Sequence, residues 1–277
     1  MKLFYRKYGD GPPLVILHGL YGSSDNWVTL AKRISTHFTV YLPDQRNHGH
    51  SPHSDVHDYE AMGSDLFELA ADLRLGKFFL AGHSMGGKTA VSFALRWPDM
   101  LEGLMVADIS PFETKARYSE YYNQHISILN TLAKVDISQV ISRAEIENLL
   151  AGKISSARIM GLVLKNIEKG TDGKYKWKNN NQALLKNIDF IMDSIVRDDG
   201  TIKSVTGFPV VFLKGDRSDY LPQEDHEKIL RLFPAAEFRI IQNSGHWVHV
   251  DNPEAVISEL KMLLPIQRDQ KRSRENS

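Results

Sequence analysis

A serine, a histidine and a choice of aspartates are spaced along this chain in a way that suits nucleophilic attack on a carbonyl. The serine is Ser84, in Gly82–His83–Ser84–Met85–Gly86–Gly87. Before it runs the apolar stretch Phe78–Phe79–Leu80–Ala81; after it Ala90, Phe93, Ala94 and Trp97 recur at helical spacing until Pro98 stops them. A strand that turns this sharply into a helix strains the serine backbone and exposes its hydroxyl, and any Cβ on Gly82 or Gly86 would crowd the turn. The N–H of Met85 then opens a helix, where it can receive a developing oxyanion. A serine hydroxyl is a poor nucleophile at neutral pH and needs a base oriented by a third group. His246, in Asn243–Ser244–Gly245–His246–Trp247, is the candidate base; its neighbour Gly245 favours it over His249. Asp108, Asp216 and Asp219 are the candidate acids. His18 opens the glycine-bearing loop His18–Gly19–Leu20–Tyr21–Gly22, where a structural role is expected of it and the Leu20 N–H would be the second oxyanion donor.

These residues need rigid carriers, and the chain supplies an alternation of strands and helices. Leu3 to Tyr8 reads as an edge strand or hairpin, ending at Gly9–Asp10–Gly11–Pro12–Pro13. Leu14–Leu17 is a strand buried on both faces, and Trp27, Leu30, Ala31 and Ile34 a helix with Asp25 and Asn26 as possible caps. Phe38–Leu42 is the next strand, Met62 to Leu73 the next helix, and Leu104–Ala107 a further strand after the serine helix. This rhythm argues an α/β fold with a mostly parallel, doubly wound sheet.

From 112 to 205 the rhythm stops. Helical patterns replace it: Tyr118, Tyr122, Ile126 and Leu129; Val140 to Leu150; Ile159, Leu162, Val163 and Ile167; and Leu184, Ile188, Ile191 and Ile195, with a turn or small hairpin at Gly170–Lys178. An insertion of roughly ninety residues is often a functional lid. Strands resume at Pro209–Leu213 and Phe238–Ile241, with a helix from Pro222 through Phe233 between them and a final helix capped by Asn252. The expected organisation is a core of 1–111 and 206–265, a helical cap of 112–205, and a frayed polar tail over 266–277.

Other clusters read as bland. The histidines at 48, 50, 53 and 57 match no zinc spacing and are expected in a solvated loop, and the lysines around Trp177 on a solvated face. Lys88 fits either a solvated or a site role. Lys+Arg and Asp+Glu both number 34, so no net field favours nucleic acid or an anionic membrane. No apolar run is long enough to span a bilayer, nothing at Met1–Lys7 resembles a signal peptide, and cysteine is absent. Together these set the expectation of a cytoplasmic enzyme without disulfides or thiolate metal sites.

The set His18–Ser23, Asp44–Gln45–Arg46–Asn47–His48–Gly49–His50–Ser51, Gly82–Gly87 and Ser244–Trp247 resembles the α/β-hydrolase superfamily. More narrowly it is similar to bacterial esterases of the YbfF type and their mitochondrial abhydrolase relatives. The likeness covers roughly 3–111 and 208–264; the cap matches only in being helical. It implies hydrolysis of small-molecule carboxylic esters or thioesters through an acyl-enzyme, with no cofactor and no metal. Many superfamily members carry the acid in a Gly-x-x-Asp-x-x-x-Pro pattern; Gly215 and Pro222 keep that spacing here, but Ser218 occupies the acid position. The narrower resemblance places the carboxylate at Asp108, with Ser218 as an accessory beside it. A menaquinone-biosynthesis-type lyase shares the fold and the Met-Gly-Gly run but carries arginine where Lys88 stands. A ligand receptor on a retained hydrolase fold is the other alternative.

Overall fold

The computed structural model describes residues 1–112, 119–196 and 204–264. Tyr118, parts of the expected cap and the tail from 266 lie outside the described residues. In chain order the first half holds β1 (Tyr5–Tyr8), β2 (Pro13–Leu17), α1 (Val28–Ile34), β3 (Thr39–Pro43), α2 (Tyr59–Asp72), β4 (Phe78–His83), α3 (Met85–Arg96) and β5 (Leu101–Ala107). An inserted segment follows: α4 (Ser119–Lys134), α5 (Arg143–Leu150), α6 (Ala157–Lys165), the hairpin β6 (Ile167–Lys169) and β7 (Tyr175–Trp177), α7 (Asn181–Lys186) and α8 (Ile188–Met192). The chain then returns with β8 (Val210–Gly215), α9 (His226–Leu232), β9 (Ala236–Ile241), α10 (Val248–Asp251) and α11 (Pro253–Met262).

Seven strands form one sheet in the order β1-β3-β2-β4-β5-β8-β9. β1 runs antiparallel to β3 as an edge, and the other pairs are parallel. Alternation within each strand builds two cores, one on each face of the sheet. Val15, Leu80, Val106 and Phe212 pack on one face with Leu66 of α2 and Phe93 of α3. Ile16, Ala81, Met105 and Val211 pack on the other with Leu30 of α1 and Ile257 of α11. Strand order reverses between β2 and β4, whose connections leave to opposite sides, so the loops after them part over a crevice. Those loops carry His18–Gly22 and Ser84. A third core joins the inserted helices to Tyr21, Tyr59, Met62 and Met85.

Several local expectations are corrected. The helix after β2 is entered through a 3-10 turn, Ser24–Trp27, with a capping box between Ser23 and Asn26. Ile167 belongs to a strand, because Asn166 caps α6 and Gly170–Gly173 turns the chain back. The Val140–Leu150 pattern becomes helical only at Arg143, after the Ser142 cap. Leu184 to Ile195 is two short helices broken at Asn187, with Ile195 beyond them, and Pro222 opens a 3-10 turn before α9. The 48–57 histidines are not all solvated. His48 and His57 are fully buried, His48 donating from Nδ1 to Arg46 O and His57 lying against Asn47 and Met85. His50 and His53 stay at the surface. Lys88 is buried, its ammonium donating to Asp193 O at 2.8 Å. Among the described residues no helix is long and apolar enough to cross a membrane.

Candidate active site

β4 ends at His83, and Ser84 takes φ 54° and ψ −121°, a region closed to most L-residues, before α3 begins at Met85. Two contacts hold that conformation: Ser84 N donates to Ala107 O of the neighbouring strand, and Lys88 N to Ser84 O in the first helical turn. The turn closes only on glycine. A Cβ on Gly82 would lie 2.1 Å from Gly86 O, and one on Gly86 2.5 Å from Leu17 O. As the first helical residue, Met85 has no intrahelical carbonyl for its N–H.

Asp108 follows β5 directly, with φ 52° and no exposure. Its Oδ1 accepts from Gly215 N at 2.8 Å, and its Oδ2 accepts from the Ser218 hydroxyl. That same Oδ2 lies 2.9 Å from His246 Nδ1. Of the other two candidate acids, Asp216 is engaged by the backbone of the histidine loop. It accepts from Ser244 N and Asn243 N, bonds that hold its carboxyl below the usual range and pin the histidine loop. Asp219 sits exposed on the cavity wall. Tyr21 and Ser84, both at positive φ, line one cavity, and Asp108, also at positive φ, reaches it through His246.

The His246 loop is gripped from several sides. Gly245 N donates to Asp251 Oδ2 at 2.9 Å, His83 Nε2 donates to His246 O at 2.7 Å, and the His246 ring stacks on Tyr220. Only about an eighth of its side chain, 13%, remains exposed.

His18 is structural, as its loop position suggests. Its Nδ1 donates to Gly19 O and its Nε2 accepts from Gln45 N, which fixes the tautomer; Gln45 in turn donates to His18 O and accepts from Thr89. The loop it opens passes so near the serine that a Cβ on Gly19 would lie 3.2 Å from Ser84 Cβ.

Burial dominates the electrostatics. It pushes His83 well below its ordinary value and His249 down to about 3, with repulsion from His246 second in both. The same two causes hold His125 at about 4. Burial likewise lowers His18, with the Asp44 charge pulling the other way. Neutral imidazoles therefore surround His246, which has the Asp108 carboxylate on its Nδ1.

Ser84, His246, Leu20 and Met85 share a cavity of about 260 Å³. Ile159 and Leu162 of α6, with Ile191 and Met192 of α8, form its apolar wall. Leu129 and Ile188 of the inserted helices are instead buried in the third core, and Ile126 packs beside them. Sequence reasoning missed His83, His125 and Tyr220. His83 stood inside the serine motif and could have been questioned there; His125 and Tyr220 carried no signal, since only tertiary contacts bring them to His246.

A parallel sheet that reverses order beneath a strained serine, with a histidine–aspartate pair beside it, is the architecture of an α/β hydrolase. The chain belongs to the α/β-hydrolase family: a model described as "Alpha/beta hydrolase family" matches residues 14–259. It is therefore a hydrolase-fold enzyme, and its relatives narrow the kind. The sn-1-specific diacylglycerol lipase ABHD11 of Danio rerio is 36% identical over 258 residues, which are 92% of this chain and 79% of that protein. Esterase YbfF of Escherichia coli is 28% identical over 256 residues, 92% of this chain and 94% of that one. A solved structure titled "Marine microorganism esterase" superposes with a TM-score of 0.88 at 41% identity, covering 95% of this chain and 99% of the other.

Proposed function

We propose that this enzyme is a serine carboxylesterase that also accepts thioesters and works through an acyl-enzyme. The observation that carries the reading is the Asp108 Oδ2–His246 Nδ1 contact at 2.9 Å, beside a strained Ser84 that opens on the same cavity. Ser84 Oγ attacks the acyl carbonyl while His246 Nε2 takes its proton. The Leu20 and Met85 N–H groups bind the oxyanion, and Asp108 stabilises the imidazolium. Collapse breaks the bond to the alcohol or thiol, which leaves with the proton from His246. Water then attacks the acyl-enzyme with His246 as base, releasing the acid and restoring Ser84. The inserted helices roof the acyl pocket, contributing Ile159, Leu162, Ile191 and Met192 as its apolar side.

The test is a side-by-side panel of p-nitrophenyl esters and acyl-CoAs, with fluorophosphonate labelling. Native protein should turn over both classes and label once. Ser84→Ala should lose on the order of 10⁶ in kcat and all labelling. A mutant that still labels, or a native protein that turns over nothing in the panel, would overturn the reading.

A further inference from the structure

Helix α6 touches the cavity with Ile159 and Leu162, and its two ends make polar contacts of a different kind. Asn166 directly follows the helix and is 3% exposed. Its Nδ2 donates to Tyr21 O at 2.6 Å and to Leu162 O at 3.2 Å. Its own carbonyl accepts from Lys178 N, tying the hairpin to the same point. Tyr21 adjoins Leu20 on the loop over the serine, holds φ 62°, and is buried, with its hydroxyl 3.1 Å from His125 Nδ1 of α4. A non-glycine residue at positive φ persists only where its surroundings over-determine it. Here they are supplied by the inserted segment, which holds the Tyr21 carbonyl at one end and its hydroxyl at the other.

The opposite end of α6, about 12 Å away along the axis, reaches the other catalytic loop. Arg158 pairs with Asp251 Oδ1 at 2.8 Å and lies over the Trp247 ring. The second oxygen of Asp251 accepts from Gly245 N, the residue before His246. The two loops that must be in register for catalysis are thus both tied to one helix that neither belongs to.

We propose that α6 is a strut that sets the catalytic geometry. Asn166 positions the Leu20 N–H through Tyr21, and Arg158 positions His246 through Asp251 and Gly245. The inference rests on the roles assigned to Leu20 and His246 above and adds two positioning residues to them. Attachment of the inserted segment does not itself require Asn166. Asn187 Nδ2 donates to Asp55 O, Asn180 N to Asn47 O and the Tyr59 hydroxyl to Ile191 O, none of them at Leu20 or His246. The strut also makes acyl fit and rate interdependent, since the acyl group packs on the helix that holds both loops.

Asn166→Leu and Asn187→Leu separate positioning from plain stability. Each is assayed for kcat and KM on p-nitrophenyl butyrate, and for inhibition by a trifluoromethyl ketone whose hemiketal oxygen mimics the oxyanion. Misplacement of an oxyanion donor should cost Asn166→Leu at least about ten-fold in kcat with KM within about two-fold. Inhibitor affinity should fall in parallel with kcat/KM. Asn187→Leu should melt lower yet keep kcat within about two-fold of native. Arg158→Gln, removing a partly exposed pair, should cost about three-fold in kcat, an effect that salt reproduces in the native enzyme. Native-like kcat in folded Asn166→Leu, or equal kcat loss in both asparagine variants, would overturn the proposal. Should Asn166→Leu not fold, Asn166→Ser, too short to reach Tyr21 O, carries the same comparison; failure of both while Asn187→Leu folds would make Asn166 purely structural and equally overturn it. Loss of fluorophosphonate labelling in the native protein would instead sink the reading on which the strut rests.

Discussion

The Ser218 hydroxyl donates to Oδ2 of Asp108, the same oxygen that faces His246 Nδ1 at 2.9 Å. Ser218 stands where many superfamily members carry the acid, and Asp108 reaches the histidine from the adjacent strand. The carboxylate and the hydroxyl thus come from the ends of adjacent strands and meet beside one imidazole. Gly215 N holds the other oxygen, so the buried carboxylate has a hydrogen-bond partner on both.

On the proposed mechanism Asp108→Asn should lose on the order of 10⁴ in kcat, the cost of an amide that favours the wrong histidine tautomer. Asp216→Asn weakens loop contacts to Asn243 and Ser244 and should cost less than about ten-fold, as should Asp219→Asn. Steady-state kinetics of the three variants decides; a crippled Asp219→Asn beside an active Asp108→Asn would move the acid to the later strand.

Ser218→Ala keeps the charge on Asp108 and removes one bond to it. Hydrogen bonds to charged groups contribute about 1.5–3 kcal/mol, so kcat should fall by roughly ten- to a hundred-fold, less than for Asp108→Asn. A variant as inactive as Asp108→Asn would show the hydroxyl to be indispensable rather than supportive.

Leu162→Ala and Ile191→Ala enlarge the apolar wall. Longer acyl chains should gain relative to acetate, with kcat/KM ratios shifting by roughly 10-fold per two methylenes accommodated. Leu129→Ala, inside the inserted core, should lower the melting temperature without that shift. An unchanged chain-length profile across the wall variants would reject the roof.

Stability should fall steeply on mild acidification. His57 and His249 are held near about 3 and His125 near about 4, each mainly by burial, whereas an unfolded histidine protonates near 6.5. Between those values the unfolded chain binds more protons, so stability is lost as pH drops below about 6.5, by up to about 1.4 kcal/mol per pH unit for each such group. The carboxylates with lowered values, such as Asp216, lose their share only further down, near and below the ordinary carboxylate range. Urea midpoints measured from pH 7 to pH 5 should therefore decline; a flat series would show these imidazoles to be solvated.

Much of this architecture was legible in the chain itself, because strand alternation, glycine at forced turns and helix caps are local properties. Gly82 and Gly86 announced the serine turn, since their Cβ atoms would strike Gly86 O and Leu17 O. The same local signals failed where two short elements share one apolar pattern. Ile167 continued the spacing of α6 yet folds back as a strand, and the series from Leu184 to Ile195 breaks at Asn187.

By itself the sequence determined the alternation of strands and helices, the serine turn and the loop that bears His246, each through local patterns. Only the tertiary structure decided that Ser218 and His246 meet the same oxygen of Asp108, that His48 and His57 are buried, and that Tyr21 is held by Asn166 from 145 positions away. The physical reason is that a hydrogen bond between distant segments depends on where the sheet and the inserted helices set their ends. No periodicity, cap or turn signal records that distance.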